Sequence, residues 1–136
     1  MAQARKPLPQ PTPDTQPFWD AAKRHELMLP KCRACSQLHY FPRPFCPHCF
    51  SWDLEWVHCS GRGKLYSFVI NYRPAPGFEE EAPYVIAVVE LEEGPRMMSN
   101  LTGVEPEPDK VQVDMPLEIV FEDVNEELTM FKFRPA

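Results

Sequence analysis

Four cysteines are spaced as two short pairs, a pattern typical of metal sites. Cys32 and Cys35 form one pair and Cys46 and Cys49 the other, which gives the spacing C-x2-C-x10-C-x2-C. Two thiolates in a tight turn can point at one ion, and two such turns supply a tetrahedron with Zn–S distances of about 2.3 Å. Four protein ligands leave no position for water, so the sequence predicts a structural rather than a catalytic zinc site.

Iron binding and thiol redox chemistry are the alternatives to zinc binding at these sulfurs. A four-thiolate site also accepts iron, as in rubredoxin, and spacing alone does not choose the metal. A thioredoxin-like redox pair is disfavoured because no βαβ pattern surrounds either cysteine pair. The fifth cysteine, Cys59, is interpreted as a half-buried thiol whose role stays open. A ribbon of roughly thirty residues cannot fold on apolar burial alone, whereas structural zinc contributes about 10–16 kcal/mol in comparable peptides.

Motifs that would indicate catalysis are missing from the sequence. It contains no GxSxG, no HExxH and no glycine-rich phosphate loop before a helix. Residues 61–64 (GRGK) open a predicted strand rather than a helix, so their glycines are interpreted as a bend between two parts of the chain. The chain is therefore interpreted as a binding module with no catalytic residues of its own.

The elements before the cysteines are an arm and a short helix. Five of the seventeen prolines fall within the first seventeen residues, so residues 1–16 are expected to be an extended arm. Residues 17–27 are predicted to form an amphipathic helix with Pro17 in its first turn. Phe18 and Trp19 are large side chains for so short a helix. They either dock it on the chain's own body or lie at a partner interface.

The remaining chain is predicted to be mainly β. Residues 28–59 form the zinc ribbon, with a hairpin predicted for residues 36–45 between the knuckles. Residues 60–136 are expected to form a five-stranded OB-fold barrel, with a half-open sheet as the competing architecture. Period-two alternation in residues 65–72 places Tyr66 and Phe68 on one face. The five predicted strands are residues 65–72, 84–91, 96–101, 117–121 and 128–133.

Charge is distributed unevenly along the chain. The net charge is −6, yet residues 21–73 carry eight basic and three acidic residues, a balance of +5, and residues 74–136 carry four basic and fifteen acidic residues, a balance of −11. One part could attract phosphates while the other repels nucleic acid, or both are ordinary solvated surfaces. No run approaches the roughly 20 apolar residues of a membrane helix, and no signal peptide is found, so a cytoplasmic location is expected.

Taken together, these motifs resemble the acyl-CoA-associated zinc-ribbon/OB-fold family, long labelled as a domain of unknown function. The resemblance covers residues 17–135. It departs at Ser36 and Phe50, where relatives often have glycine after each knuckle, and at Asp114, where glycine often precedes the fourth barrel strand. The segments that carry it are Pro17-Phe18-Trp19, Lys31-Cys32-Arg33-Ala34-Cys35, Pro42-Arg43, Cys46-Pro47-His48-Cys49, Gly61-Arg62-Gly63-Lys64-Leu65-Tyr66-Ser67-Phe68, residues 83–91, residues 117–122 and Phe133-Arg134-Pro135.

The resemblance implies an N-terminal helix, a rubredoxin-like zinc ribbon and an OB barrel. It implies a small non-catalytic subunit of a thiolase, a thiolase-like aldolase or a MaoC-type enoyl-CoA hydratase. Such subunits bind or hand over acyl-CoA intermediates, and a hetero-oligomer with two copies of each chain is expected. The residues expected to contact the phosphates of coenzyme A are Arg33, Arg43, Arg62 and Lys64.

Two alternatives from other classes stay open at this point. One is a zinc-ribbon/OB protein that binds single-stranded nucleic acid, which the charge of −11 on the barrel part opposes. The other is a rubredoxin-like electron carrier with iron in the four-thiolate site. Aromatic residues of the ribbon could pack on a partner or cover the ribbon itself; these are Phe41, Phe45, Phe50 and Trp52.

Overall fold

The structure, a computed structural model, describes residues 8–136 and places one helix and seven strands in them. Residues 1–7 of the predicted arm lie outside the described residues. The carbonyl oxygen of Thr12 accepts hydrogen bonds from the backbone amides of Thr15 and Gln16 at 3.0 and 2.8 Å. This turn leads directly into the helix.

Helix α1 spans Gln16–Lys23 and ends earlier than the residue pattern predicts. The amides of His25 and Glu26 donate to the carbonyls of Ala22 and Ala21 at 2.8 and 2.9 Å, which is the Schellman arrangement. His25 adopts a left-handed backbone conformation with φ of 59°. The helix therefore ends at Lys23, whereas it was predicted to continue to residue 27.

The ribbon sheet consists of β1 (Leu27–Cys32) and β2 (Leu54–Cys59), which pair antiparallel. These strands flank the two knuckles, whereas a hairpin was predicted between the knuckles. Residues 36–45 form no strand there, and the chain bridges back to β1 only at Leu38. The prolines of this segment lack the amide donors that a hairpin ladder requires.

The rest of the chain forms a closed barrel, so the predicted five-stranded OB-fold is confirmed and the half-open sheet is excluded. Neighbouring strands follow the order β3-β4-β5-β7-β6, and β6 pairs with β3 to close the barrel. All pairs are antiparallel except β5 with β7. The strands are β3 (Arg62–Asn71), β4 (Tyr84–Leu91), β5 (Arg96–Leu101), β6 (Pro116–Asp123) and β7 (Thr129–Pro135).

A bulge in β3 changes which side chains share a face. Leu65 lies opposite Val89 and Ser67 lies opposite Val88, so Tyr66 is an extra residue between the two pairs. An inserted residue reverses the alternation beyond it. Tyr66 is therefore exposed while Phe68 packs against the core, and the prediction that both share one face is wrong.

Helix α1 joins the ribbon to the barrel through aromatic contacts. The ring of Phe18 meets those of Trp19 and Phe131 edge-on, with centroids 5.0 and 5.6 Å apart. Phe18 and Trp19 are only 2% and 4% exposed, and they belong to one continuous core with Leu29 of β1 and Leu65 of β3. None of the described residues forms a helix long and apolar enough to cross a membrane.

Candidate metal centre and exposed surfaces

The two knuckles bring the four predicted cysteine sulfurs together at one end of the ribbon. Their Sγ atoms lie within 4.8 Å of one another. The Sγ atoms of Cys32 and Cys49 are 3.5 Å apart, and those of Cys35 and Cys46 are 3.6 Å apart. A tetrahedron with metal–sulfur bonds of about 2.3 Å has sulfur–sulfur edges of about 3.8 Å. The cluster therefore fits one tetrahedral zinc ion, and in residues 8–136 it is the only group of its kind.

Both knuckles use the same backbone turn. The amide of Ser36 donates to the carbonyl of Cys32, and the amide of Phe50 donates to the carbonyl of Cys46, each at 2.8 Å. Ser36 and Phe50 each have φ of 65°. These are the positions at which glycine was expected from the resemblance, and the structure shows why, since the turn needs a left-handed residue.

Backbone amides also point at two of the sulfurs. The amide of Cys35 donates to Sγ of Cys32 at 3.4 Å, and the amide of His48 donates to Sγ of Cys46 at 3.3 Å. The Cys35 amide is the main reason that the pKa of Cys32 falls to about 7. Because the thiolate is the form that binds metal, this hydrogen bond favours the metal-binding form of Cys32.

The fifth cysteine is separate from this centre. Cys59 ends β2, is 2% exposed and is not part of the sulfur cluster. Burial raises the pKa of its thiol to about 12. It therefore remains a neutral thiol inside the core rather than a metal ligand.

Arg33, a predicted phosphate contact, is already neutralised within the ribbon. Its guanidinium donates to Asp53 at 2.9 Å and to Glu55 at 3.3 Å. The hydrogen bond that Arg33 donates to the Asp53 carboxylate is the first cause of a raised pKa at Arg33. These carboxylates would compete with a phosphate for the same donors, so Arg33 is the weakest of the four candidates.

The other basic candidates are not gathered at one place. Arg62 and Lys64 lie on β3, whereas Arg43 lies between the knuckles. Lys64 faces Asp114 at 3.9 Å. Arg43 and Arg62 form no ion pair with another side chain in residues 8–136, so of the four candidates they are the two that face no carboxylate.

The aromatic candidates divide into buried and exposed groups. Phe18 and Trp19 lie in the core described above, which argues against their assignment to a partner interface. Phe50 and Trp52 are 69% and 71% exposed, and both rings lie near Phe45, at centroid distances of 6.5 and 5.6 Å. These three residues, called the ribbon tip below, do not cover the ribbon.

A second apolar surface lies on the barrel and was not anticipated from the sequence. Val69 lies opposite Ile86, and Val88 lies opposite Met98, all on the outward side of strands β3, β4 and β5. We call these four side chains the outer face. The continuous apolar run of β4 is typical of a central strand, but such a run does not show that one side of the strand stays uncovered.

Comparison with known families identifies both parts of the chain. Residues 19–55 match the family described as "ChsH2, rubredoxin-like zinc ribbon domain". Residues 56–122 match the family described as "ChsH2, C-terminal OB-fold domain". A solved structure titled "Ltp2-ChsH2(DUF35) aldolase" is similar with a TM-score of 0.80 and 40% identity, covering 95% of this chain and 99% of that chain.

Curated relatives carry several enzyme names. A "Probable enoyl-CoA hydratase alpha subunit" of Thermomonospora curvata is 40% identical over 98% of this chain, which spans 41% of that relative's length. A "DUF35 domain-containing scaffold protein" of Methanothermobacter thermautotrophicus is 36% identical over 83% of this chain and 89% of that protein. The "Benzoylsuccinyl-CoA thiolase subunit BbsA" of Thauera aromatica is 31% identical over 76% of this chain and 72% of that protein.

Proposed function

Because the chain belongs to the DUF35 family of ChsH2-type zinc-ribbon and OB-fold proteins, we propose that it is a non-catalytic accessory subunit of an enzyme acting on acyl-CoA thioesters. A thiolase or thiolase-like aldolase is the first candidate for the catalytic subunit, and an enoyl-CoA hydratase is the second. The accessory chain would stabilise the assembly and help to bind or transfer acyl-CoA intermediates.

One observation carries this proposal. Relatives of the same fold are named as parts of a hydratase, a thiolase and an aldolase, which catalyse different reactions. A fold shared among different chemistries contributes something other than the chemical step. We infer that the common contribution is to hold the catalytic subunit, together with the coenzyme A group that the hydratase and thiolase names share.

The metal centre supports the same role. We propose that Cys32, Cys35, Cys46 and Cys49 bind one zinc ion, which fixes both knuckles to the strands that flank them. With all four positions filled by sulfur, the ion offers no site for substrate or water. The zinc therefore acts on the shape of the ribbon, and the reaction takes place on the partner.

Coenzyme A is the ligand we propose for the unpaired cations. Arg43 and Arg62 are exposed, whereas Arg33 and Lys64 already face carboxylates. Arginine pairs with phosphate through two parallel hydrogen bonds. Substituting Arg62→Glu should weaken binding of acetyl-CoA to the assembled complex, and calorimetric titration of the wild-type and variant complexes measures this effect.

The accessory role is tested by purifying the tagged chain from its native host and identifying co-eluting proteins by mass spectrometry. We expect a thiolase, aldolase or hydratase subunit in stoichiometric amount, and the same result when the two chains are co-expressed. A chain that elutes alone, or with nucleic-acid-bound material, would refute the proposal. Metal analysis of the same sample should give one zinc per chain, while iron would support the electron-carrier alternative.

A further inference from the structure

The outer face of the barrel is apolar where an antiparallel sheet usually presents polar residues to water. The inward residues of β4, Val85, Ala87 and Val89, are at most 1% exposed and fill the barrel. The outward residues Ile86 and Val88 have no such function within the described chain, yet they are also branched and apolar. A strand that is apolar on both sides is typical of a sheet covered on both sides.

The apolar side chains of the outer face form two cross-strand pairs, with the polar residues Ser67 and Asn100 beside them on the same side of the sheet. Cross-strand partners lie about 4.5–5.5 Å apart between Cβ atoms, so Val69 neighbours Ile86 across β3 and β4, and Val88 neighbours Met98 across β4 and β5. Val69 is 58% exposed and Met98 is 62% exposed. The sheet therefore exposes large apolar side chains to solvent on this side.

Polar residues close this surface at both ends. At one end, Arg96 lies 3.6 Å from Glu90 and its guanidinium stacks 3.8 Å from the ring centre of Tyr66. At the other end, the amide of Asn71 donates to the hydroxyl of Tyr84 at 2.8 Å. An apolar centre with a polar rim is the usual composition of a protein–protein interface.

A groove adjoins the outer face and makes it concave. It has a volume of about 450 Å³, and its walls include Ile86 and Met98 on the barrel and Tyr40 and Phe41 on the ribbon side. Phe41 is 38% exposed, so part of its ring faces the groove opening. Pockets of this kind receive the large anchor side chains that dominate interface energies.

Charge restricts what can cover this surface. Three of the four outer-face residues, Ile86, Val88 and Met98, lie in residues 74–136, which carry −11, and the acidic residues 79–81 lie in the loop that connects Asn71 to Tyr84. A second copy, a nucleic acid or an anionic membrane would bring further negative charge to the same rim. The occupant that fits is a protein surface with an apolar centre and lysine or arginine around it.

We propose that the outer face and its groove form the surface on which the chain docks its catalytic subunit. This rests on the proposed accessory function and names the face that performs it. The competing surface is the ribbon tip, which presents exposed rings. The outer face is favoured because it combines two apolar cross-strand pairs, a groove and a polar rim.

The test uses the chain co-expressed with the thiolase, aldolase and hydratase subunits of its own host, each in turn. For the pair that forms a complex, affinity is measured for Val69→Glu and Met98→Glu. We expect each to bind at least about tenfold more weakly, since a charge placed in an apolar interface centre is left unpaired. The matched control is Val113→Glu, because Val113 is 55% exposed but lies in the β5–β6 connection. The thermal midpoint of each free variant confirms that it folds.

The outcomes distinguish the proposed docking surface from the proposed accessory function. If the wild-type chain binds a catalytic subunit and both outer-face variants bind it equally well, the docking surface is refuted and the accessory function stands. If Phe50→Ala and Trp52→Ala weaken binding while the outer-face variants do not, the ribbon tip is the interface instead. If sedimentation shows that Met98→Glu abolishes self-association of the chain, the outer face joins two copies. If the wild-type chain binds no such subunit, both proposals fail.

Discussion

In the ribbon, two six-residue strands form a single small sheet, and the chain between them is fixed at four sulfur atoms. In the barrel, five strands close around inward side chains such as Leu65, Val89 and Phe133, none of which is exposed to solvent. The ribbon therefore takes its shape from a metal and the barrel takes its shape from apolar burial. The two regions meet at α1, where Phe18 contacts both Tyr40 of the ribbon and Phe131 of the barrel.

The largest expected effect is unfolding of the ribbon, without the barrel, when the metal is removed. Chelation of the metal, or Cys46→Ser, should unfold the ribbon, because structural zinc contributes about 10–16 kcal/mol to comparable sites. Trp52 and Trp56 lie in the ribbon and Trp19 lies in α1, while residues 60–136 contain no tryptophan. Tryptophan emission should therefore shift on chelation, while far-ultraviolet circular dichroism still reports cooperative unfolding of the barrel strands.

Cys59→Ser is the matched control for that experiment. Cys59 is buried but lies outside the sulfur cluster, so this variant should keep one zinc per chain. If chelation instead abolished the cooperative transition of the barrel, the two regions would form a single metal-dependent unit and the contrast drawn above would be wrong.

The next largest effect is expected from removing a buried side chain in the barrel. Phe133→Ala should lower the free energy of unfolding by about 3–5 kcal/mol, because a fully buried ring is removed from a closed core. Val124→Ala, at a position that is 42% exposed, should cost less than about 0.5 kcal/mol. Urea denaturation measures both values. Zinc content should be unchanged in each variant, and loss of zinc in Phe133→Ala would show that the barrel supports the metal site.

The same division explains what the sequence could predict. The four metal ligands could be predicted because each knuckle is a local turn. Barrel strands such as residues 84–91 could be predicted because they are continuous apolar runs. The pairing of β1 with β2 joins residues that are distant in the chain, as Leu27 opposite Cys59 illustrates, and no local pattern encodes it. The bulge at Tyr66 likewise depends on the neighbouring strand.

Backbone conformation was predictable only through the family resemblance. Ser36, Phe50 and Asp114 stand where glycine was expected, and all three have positive φ, with 71° at Asp114. His25 also has positive φ, yet it falls within residues 17–27, which were predicted to be helical. Neutralisation of Arg33 could not be foreseen either, since Asp53 and Glu55 reach it only after β2 pairs with β1.

A smaller effect tests the knuckle turns. Ser36→Gly should stabilise the metal-bound ribbon by about 0.5–1 kcal/mol. The left-handed conformation costs most residues about 1–2 kcal/mol, which glycine avoids, but the greater conformational entropy of glycine in the unfolded chain offsets part of this stabilisation. The expected result is a zinc affinity about two- to fivefold higher in competition with a chelator. Ser36→Ala is the control and should bring no gain, since alanine meets the same steric penalty. A gain in both variants would show that conformation at this position is not the cause.

The smallest effect concerns the contact between the end of α1 and the barrel. Nε2 of His25 lies 3.0 Å from Oδ1 of Asp123, and the hydroxyl of Thr129 donates to the same oxygen at 2.7 Å. The His25 hydrogen bond is the main cause of a lowered pKa at Asp123, so ionised Asp123 stabilises the fold above pH 3.8, its ordinary value, and this contribution is lost as the pH falls through the lower folded pKa. Asp123→Asn should therefore lower the thermal midpoint slightly at pH 6, and the difference from the wild type should shrink as the pH falls below 3.8. A difference of the same size at both pH values would mean that packing rather than charge joins the helix to the barrel.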